Sequence, residues 1–557
     1  MSLLLYALIS GLILLCGYIF YGKFLEKKLN LNDNNPVPSK TLYDGVDYIP
    51  TRRAILLGQH FSAISAAGPI VGPILAGLLF GWLPALLWIL VGSIFVGGVH
   101  DFTSLVASVR HKAKSIAEVV KEHMSHRTYL LFLLFIWFSL VYVIVAFTDI
   151  TASAFIQETY GAGVASSSFL YLSLAILMGL SLYKLKFPLW LSTIIFLPMV
   201  VLAIWYGQKI PLSLPSILGL EPVKIWDLIL LCYCFIASII PIWLLLQPRG
   251  YLGGLFLYGT LLTGIIGILF GGFNINYPSF ITWNSSQGPL FPILFITVAC
   301  GACSGFHAIV SSGTSSKQLS REKDAKLIGY GGMLLEALVA IIALATLMIL
   351  TRDGALSRAK PDQIYASGIS RFLSIFKINP DLAMSFGLLA FATFIYDTLD
   401  VCTRLGRYVF QELTSWKGKI SKVGPTLFTL LIPAFAVMIR VKNPSGEPLP
   451  AWRIFWSLFG SSNQLLAALT LLGVTVWLKE TKKSWIYTLL PMAFMLIITI
   501  WSLVQMALPW LEMILSGSFK FQVVPLGSIV LLALALLLLI EAMKSLFFKK
   551  PELRVNI

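Results

Sequence analysis

The chain has 557 residues, of which 57% are hydrophobic and 12% charged, with a formal net charge of +16. No soluble fold can cover that much apolar surface, so the composition excludes a soluble enzyme or binding module and indicates a polytopic membrane protein. The positive charge sits in short segments between apolar runs, without a long basic arm, which argues against nucleic acid as a partner and for the lipid bilayer.

At about 20 apolar residues per crossing, fifteen candidate spans begin near residues 2, 54, 82, 128, 166, 187, 226, 252, 289, 325, 381, 424, 454, 484 and 523. The first, MSLLLYALISGLILLCGYIF, has no basic region ahead of it and no small-residue cleavage site. It reads as an extra transmembrane helix over 1–30, not a signal peptide. A core over 45–350 and C-terminal helices over 381–548 complete the expected organisation. With the N-terminus outside, alternate connections are all basic: 23–53, 109–127, YKLK, Arg249, SKQLSREKDAK, WKGKISK, KETKK and the tail FFKKPELR. The C-terminus is therefore expected inside. Segment 351–381 departs from the pattern with five basic residues on the outer side, and reads either as a partly structured external loop or as a miscounted span. The six cysteines (Cys16, Cys232, Cys234, Cys300, Cys303, Cys402) fall in apolar spans as small hydrophobes, not as a disulfide framework.

The second span carries GQHFSAISAAGPIVGPILA, with Gly68-Pro69 and Gly72-Pro73 near its centre. Proline there leaves carbonyls unpaired in hydrocarbon, so the pattern predicts a broken helix beside a cavity rather than a simple kink. The ninth span reads FPILFITVACGACSGFHAIVSSGTSSKQ. Ala66-Ala67-Gly68-x3-Gly72 overlays Ala299-Cys300-Gly301-x3-Gly305 at an offset of 233, and FSAISAAG overlays FHAIVSSG at 245. The two motifs lie seven spans apart in order, so they cross in opposite directions, as inverted repeats with discontinuous helices do.

Ionisable residues inside spans cost about 2.5–3.5 kcal/mol each on insertion scales, so each needs a reason. His60 and His307 stand beside the two breaks, where an imidazole can bind a carboxylate or exchange a proton, or simply hold a structural hydrogen bond. Glu336 lies deep in GYGGMLLEALVAIIALA and is the stronger candidate for a coupling carboxylate; Asp101, after His100, reads as either a coupling group or an interfacial cap. Asp397, Asp400, Arg404 and Arg407 recur at helical spacing on one face, with Asp400 and Arg404 an i,i+4 pair and the two arginines reaching for the interface. Cys300-x2-Cys303-x3-His307 offers three soft ligands with nothing to complete the set, and helix packing explains the thiols better. No metal and no cofactor are expected. G-x-x-x-x-G-K-[ST], G-x-S-x-G and H-E-x-x-H are all absent, so neither an ATP-driven pump nor an enzyme is indicated.

These stretches, together with GGVHDF, DAKLIGYGGMLLEALVAI, TLDVCTRLGRY and FGSSNQLLAAL, resemble the carbon starvation protein A (CstA) family of bacterial inner-membrane transporters. The resemblance implies a multi-pass secondary carrier for peptides or pyruvate, proton-coupled, with a LeuT-like fold of inverted repeats plus extra helices. Family members carry histidine where Gln59 stands, glutamine at His100 and an aliphatic residue at Cys303, departures that set a family-wide role for His100 and a cysteine metal site in question.

The expectation is an all-α symporter importing short peptides or a small carboxylate such as pyruvate. Backbone at Gly68, Gly72, Gly301 and Gly305, hydroxyls of Ser62, Ser65, Ser304, Ser311 and Ser312, and the imidazoles of His60 and His307 would contact substrate. Asp101, Glu336, Asp397 and Asp400 would handle the proton, and a peptide ammonium would seek Asp397, Asp400 or Glu336. The rivals are a non-transporting nutrient sensor and a metal-ion transporter using His60, Cys300, Cys303 and His307.

Overall fold

The computed structural model describes residues 2–44, 48–123, 125–217, 219–241, 243–416, 422–439, 441–442, 448–517 and 522–547. Long apolar helices dominate, in chain order α1 (Leu3–Leu29), the half-helices α2 (Arg53–Ile64) and α3 (Gly68–Phe80), α4 (Trp82–Arg110), a short amphipathic α5 (Ile116–His123) and α6 (His126–Phe155). Then come α7 (Gly161–Tyr183), α8 (Leu189–Gly207), α9 (Pro222–Ile239), α10 (Leu246–Phe270), the half-helices α11 (Leu290–Thr297) and α12 (Phe306–Gly313), and α13 (Lys326–Met348). The chain closes with α14 (Pro361–Leu373), α15 (Pro380–Thr414), α16 (Val423–Met438), α17 (Ala451–Glu480), α18 (Ile486–Leu515) and α19 (Val523–Phe547). Two hairpins of two-residue strands and three isolated bridges are the β-structure among the described residues.

Twelve of these helices are long and apolar enough to cross a membrane, and the α2–α3 pair, bent by 49°, makes a thirteenth if it counts as one broken span. The protein is an all-α polytopic membrane protein. Each of the fifteen sequence-derived starts lies near a helix start, the widest gap being Leu246 against an expected 252. Two of the fifteen fall short of full-length helices: α16 has 16 residues, and α11 and α12 have 8 each. The basic stretches at 417–421 and from 548 onward lie outside the described residues.

Burial sorts core from rim. The apolar window of α17 is entirely buried and that of α13 is 89% buried, whereas α1 and α8 bury 28% of theirs and form the lipid-facing periphery. Segment 351–381 contains α14, which starts on Pro361, where a missing N–H costs nothing, and packs on α15, α10, α13 and α3 with Tyr365 and Phe372 buried. Its basic residues lie in the connections and on the outer face of a packed helix. All six cysteines are free thiols, four of them buried.

The breaks in the two discontinuous helices have identifiable partners. Residues Ser65–Ala67 are non-helical between α2 and α3, and Val298–Gly305 separate α11 from α12. The segments pack so closely that their glycines have no room for a side chain. A methyl group added at Gly68 would lie 2.5 Å from Cys300 Cβ, one at Gly72 would lie 2.6 Å from the Thr297 carbonyl, and one at Gly301 would lie 2.8 Å from Ala340 Cβ. Carbonyls and N–H groups freed by the second break are met by side chains, as a hydrocarbon setting demands. Trp88 Nε1 donates to the Val298 carbonyl at 3.2 Å, Gln464 Nε2 donates to the Phe295 carbonyl, and Asn463 Oδ1 accepts from the Phe306 N–H at 3.0 Å.

Candidate functional site

A cavity of about 420 Å3 opens where α2, the start of α10, the turn after α12 and the middle of α15 meet. Its polar lining includes Gln59, His60, Ser62, Arg249, Lys317 and Asp397. The volume falls within the range of roughly 300–1,000 Å3 common for small-molecule sites.

Arg249 decides the electrostatics of this cavity. Sequence alone places it in a basic loop, but it is 0% exposed at the first turn of α10. Its Nε donates to Asp397 Oδ1 at 2.8 Å, and its Nη1 donates to Asp400 Oδ2 and to Tyr233. Tyr233 in turn donates to Asp400 Oδ2 at 2.9 Å, and Tyr171 to the Arg249 carbonyl at 2.8 Å. Asp397 Oδ2 lies over Gly253, where a Cβ would collide with it, and accepts a long bond of 3.5 Å from Ser62. One guanidinium thus faces two carboxylates, of which Asp397 lines the cavity together with Arg249 and a second cation, Lys317. The expected Asp400–Arg404 pair gives way to this arrangement. Arg404 donates to the Ala237 and Ile240 carbonyls and Arg407 to that of Ser238, so both are buried as C-terminal partners of α9 instead of reaching for the interface.

A second buried chain starts from the cavity's other wall. His60 Nδ1 meets Ser315 Oγ at 2.8 Å, and its Nε2 has no hydrogen-bond partner among the described residues. Gly332 of α13 gives the His60 ring its room, since a Cβ there would lie 2.9 Å from Cδ2. One turn further along α13, Glu336 Oε2 lies 3.1 Å from His307 Nε2 in ion-pair contact. His307 Nδ1 is 2.7 Å from Asp101 Oδ2, and His100 Nδ1 is 2.7 Å from Asp101 Oδ1. All four residues are 0% exposed. Carboxylates approach both nitrogens of His307, with a hydrogen bond to Asp101 at Nδ1 and an ion-pair contact to Glu336 at Nε2, an arrangement in which the three side chains can share a proton. Asp101 is thus a buried bridge between two imidazoles; it does not cap an interface.

The remaining sequence candidates separate by position. His60, Ser62 and Asp397 line the cavity, with Asp400 directly behind Arg249. Gly68, Gly72, Gly301 and Gly305 lie outside the lining, where they let helices touch; Gly305 packs on Asn463 and Ala467. Ser304 bonds Asn463 and Ser312 bonds the Ala308 carbonyl, while the hydroxyls of Ser65 and Ser311 are buried without a hydrogen-bond partner among the described residues. Cys300 Sγ accepts from Asn463 at 3.3 Å. Arg249, Tyr233, Ser315 and Asn463 escaped the sequence reasoning as site residues. For Arg249 a signal existed, since two aspartates deep in one span require a cation from somewhere.

The carbon starvation protein CstA family model matches residues 1–355 and 348–502. The chain belongs to the CstA family. Among its relatives, the Helicobacter pylori "Peptide transporter CstA" is 32% identical, covering 90% of this chain and 81% of that one. The Escherichia coli "Pyruvate/proton symporter BtsT" is 29% identical, covering 88% and 79%. In fold comparison, crystal structures of an Eremococcus coleocola manganese transporter align over 91% of this chain and 98% of theirs at a TM-score of 0.46 and 13% identity. Family membership and membrane-spanning helices make this CstA protein a multi-pass membrane transporter.

Proposed function

We propose that this protein is a proton-coupled symporter of the bacterial inner membrane that imports short peptides or a small carboxylate such as pyruvate. The observation that carries the proposal is the buried chain Glu336–His307–Asp101–His100, which stands beside His60 at the wall of the cavity. A titratable chain sealed from solvent next to a ligand-sized cavity is the arrangement that couples a proton to a cargo.

In this reading His60, Ser62, Arg249 and Asp397 contact the cargo, and Asp101, His307 and Glu336 carry the proton. Arg249 and Lys317 would meet a cargo carboxylate and Asp397 an ammonium group, so the lining suits a short peptide as well as pyruvate. The interlocked breaks support a LeuT-like inverted repeat of fifteen spans. The first half-helices end at Ile64 and Thr297, 233 residues apart, in keeping with one of the two registers. Thr51, Lys317 and Gln318 of the cavity lining belong to basic connections, which by the positive-inside rule supports reading the cavity as open to the inside, with the N-terminus outside.

The test is uptake of labelled dialanine and labelled pyruvate into proteoliposomes, with and without an inward proton gradient. Gradient-stimulated uptake of at least one is expected. Binding without flux of either would overturn the symporter and point to a sensor.

A further inference from the structure

Away from the cavity, the corner joining α4 to α5 holds two histidines whose geometry asks for a positive charge between them. His111 Nδ1 lies 2.6 Å from the Ala107 carbonyl, an atom that can only accept, so this nitrogen carries a proton. His123 Nδ1 lies 2.5 Å from Glu480 Oε2 at the end of α17, again an acceptor, so it too is an N–H. In the neutral rings both Nε2 atoms then present lone pairs, and they face each other at 2.9 Å. Two lone pairs at that distance repel unless a cation lies between them.

A proton shared with His123, whose ring pairs with Glu480, is one such cation, and a metal ion is the other. A third donor completes a ligand set. Glu122 Oε2 is 3.8 Å from His111 Nε2, and one ligand atom from each of His111, Glu122 and His123 falls within 4.8 Å of the others. Lys114 pairs with the other Glu122 oxygen. Ligands at 2.0–2.2 Å around a tetrahedral zinc stand about 3.3 Å apart, so the two imidazoles need to separate by less than half an ångström. The Nδ1 contacts to a backbone carbonyl and to a carboxylate are the outer contacts that orient metal-bound histidine.

We propose that His111, Glu122 and His123 form a binding site for a divalent transition-metal ion of the zinc class, with water as fourth ligand. The ion ties α5 to the end of α4, which carries Asp101, and, through Glu480, to the end of α17, which carries Asn463. The proposal stands apart from the transport reading and departs from the sequence expectation of no metal. The spacing H-x10-E-H matches no short zinc motif, and Glu480 lies 357 residues from His123.

The test uses tag-free, chelator-stripped full-length protein in detergent, titrated with Zn2+ by calorimetry and with Co2+ by its ligand-field absorption. Saturable binding of one ion is expected, with the intense visible bands of tetrahedral Co2+. His111→Gln and His123→Gln each weaken binding at least tenfold, while Glu480→Gln, which leaves all three ligands in place, weakens it 10–100-fold without changing the Co2+ spectrum. Each variant is checked for an unchanged metal-free melting profile, and Glu122→Gln serves where a histidine variant misfolds. Absence of saturable binding by the wild-type protein overturns the proposal. So does binding undiminished in all three ligand variants, which would put the ion elsewhere.

Discussion

Asp101 and His307 are 206 residues apart in the chain and 2.7 Å apart in the fold. The contact joins α4 to the second half of the second broken helix, and Glu336 approaches the opposite nitrogen of the same ring. In the proposed symporter, removing the far carboxylate should separate proton coupling from cargo binding. Glu336→Gln is expected to cut gradient-driven accumulation by about tenfold or more, the equivalent of 1.4 kcal/mol, while cargo counterflow across the same vesicles persists. Loss of both activities would place Glu336 in cargo binding or folding.

Arg249 is the most exposed to disruption of the buried charges because two carboxylates depend on it. Arg249→Met leaves Asp397 and Asp400 adjacent without a cation, and breaking a buried pair in this way costs about 3–5 kcal/mol. The melting temperature in detergent should fall markedly. It should recover in part when Asp400→Asn is added, since the remaining carboxylate then faces a neutral neighbour.

The interlock of the two breaks is a matter of single atoms. Gly68→Ala puts a methyl group into Cys300, with Cβ to Cβ at 2.5 Å, so expression and thermal stability should both drop. Cys300→Ser keeps the offending Cβ and should not rescue, whereas Cys300→Gly removes it and should.

Asn463 is expected to matter for stability without touching cargo. It accepts from the Phe306 N–H, donates to Ser304 Oγ at 3.0 Å and reaches Cys300 Sγ. Asn463→Leu leaves a buried N–H unpaired at the start of α12, for about 1–3 kcal/mol. Denaturation of the purified variant, compared with Asn463→Asp, which keeps the acceptor, measures that loss.

The α4–α5 corner should respond to acid. His111 titrates below the unfolded value of 6.5, chiefly through burial, so its contribution is present above about pH 6.5 and fades as pH falls toward the folded value. Hydrogen exchange over residues 111–123 in chelated samples should accelerate between pH 7 and pH 5, and His111→Gln should flatten the dependence.

Much of this was legible in the chain because hydrocarbon enforces local rules. A Gly-Pro pair in an apolar run announces a break, and a lone glutamate such as Glu336 announces a partner. Which partner it finds depends on where helices cross, and nothing in the sequence near Glu336 names His307. Arg249 shows the limit most clearly. Flanked by Gln247-Pro248 and Gly250, it has the look of a loop cation, yet folding carries it to a pair of aspartates about 150 residues away. The packed helix α14 was hidden for a related reason, since its basic residues match the composition of a connection.

A single imidazole held between Asp101 and Glu336 also bears on the electrical cost of uptake. If His307 hands on one proton per cycle, a pyruvate anion entering with it moves no net charge, and the membrane potential contributes nothing to accumulation. A zwitterionic peptide with the same proton carries one positive charge inward, and each 100 mV then adds about 2.3 kcal/mol, roughly a fiftyfold gradient. Cargo choice at Arg249 and Asp397 would thereby decide whether transport is electrically silent or electrogenic.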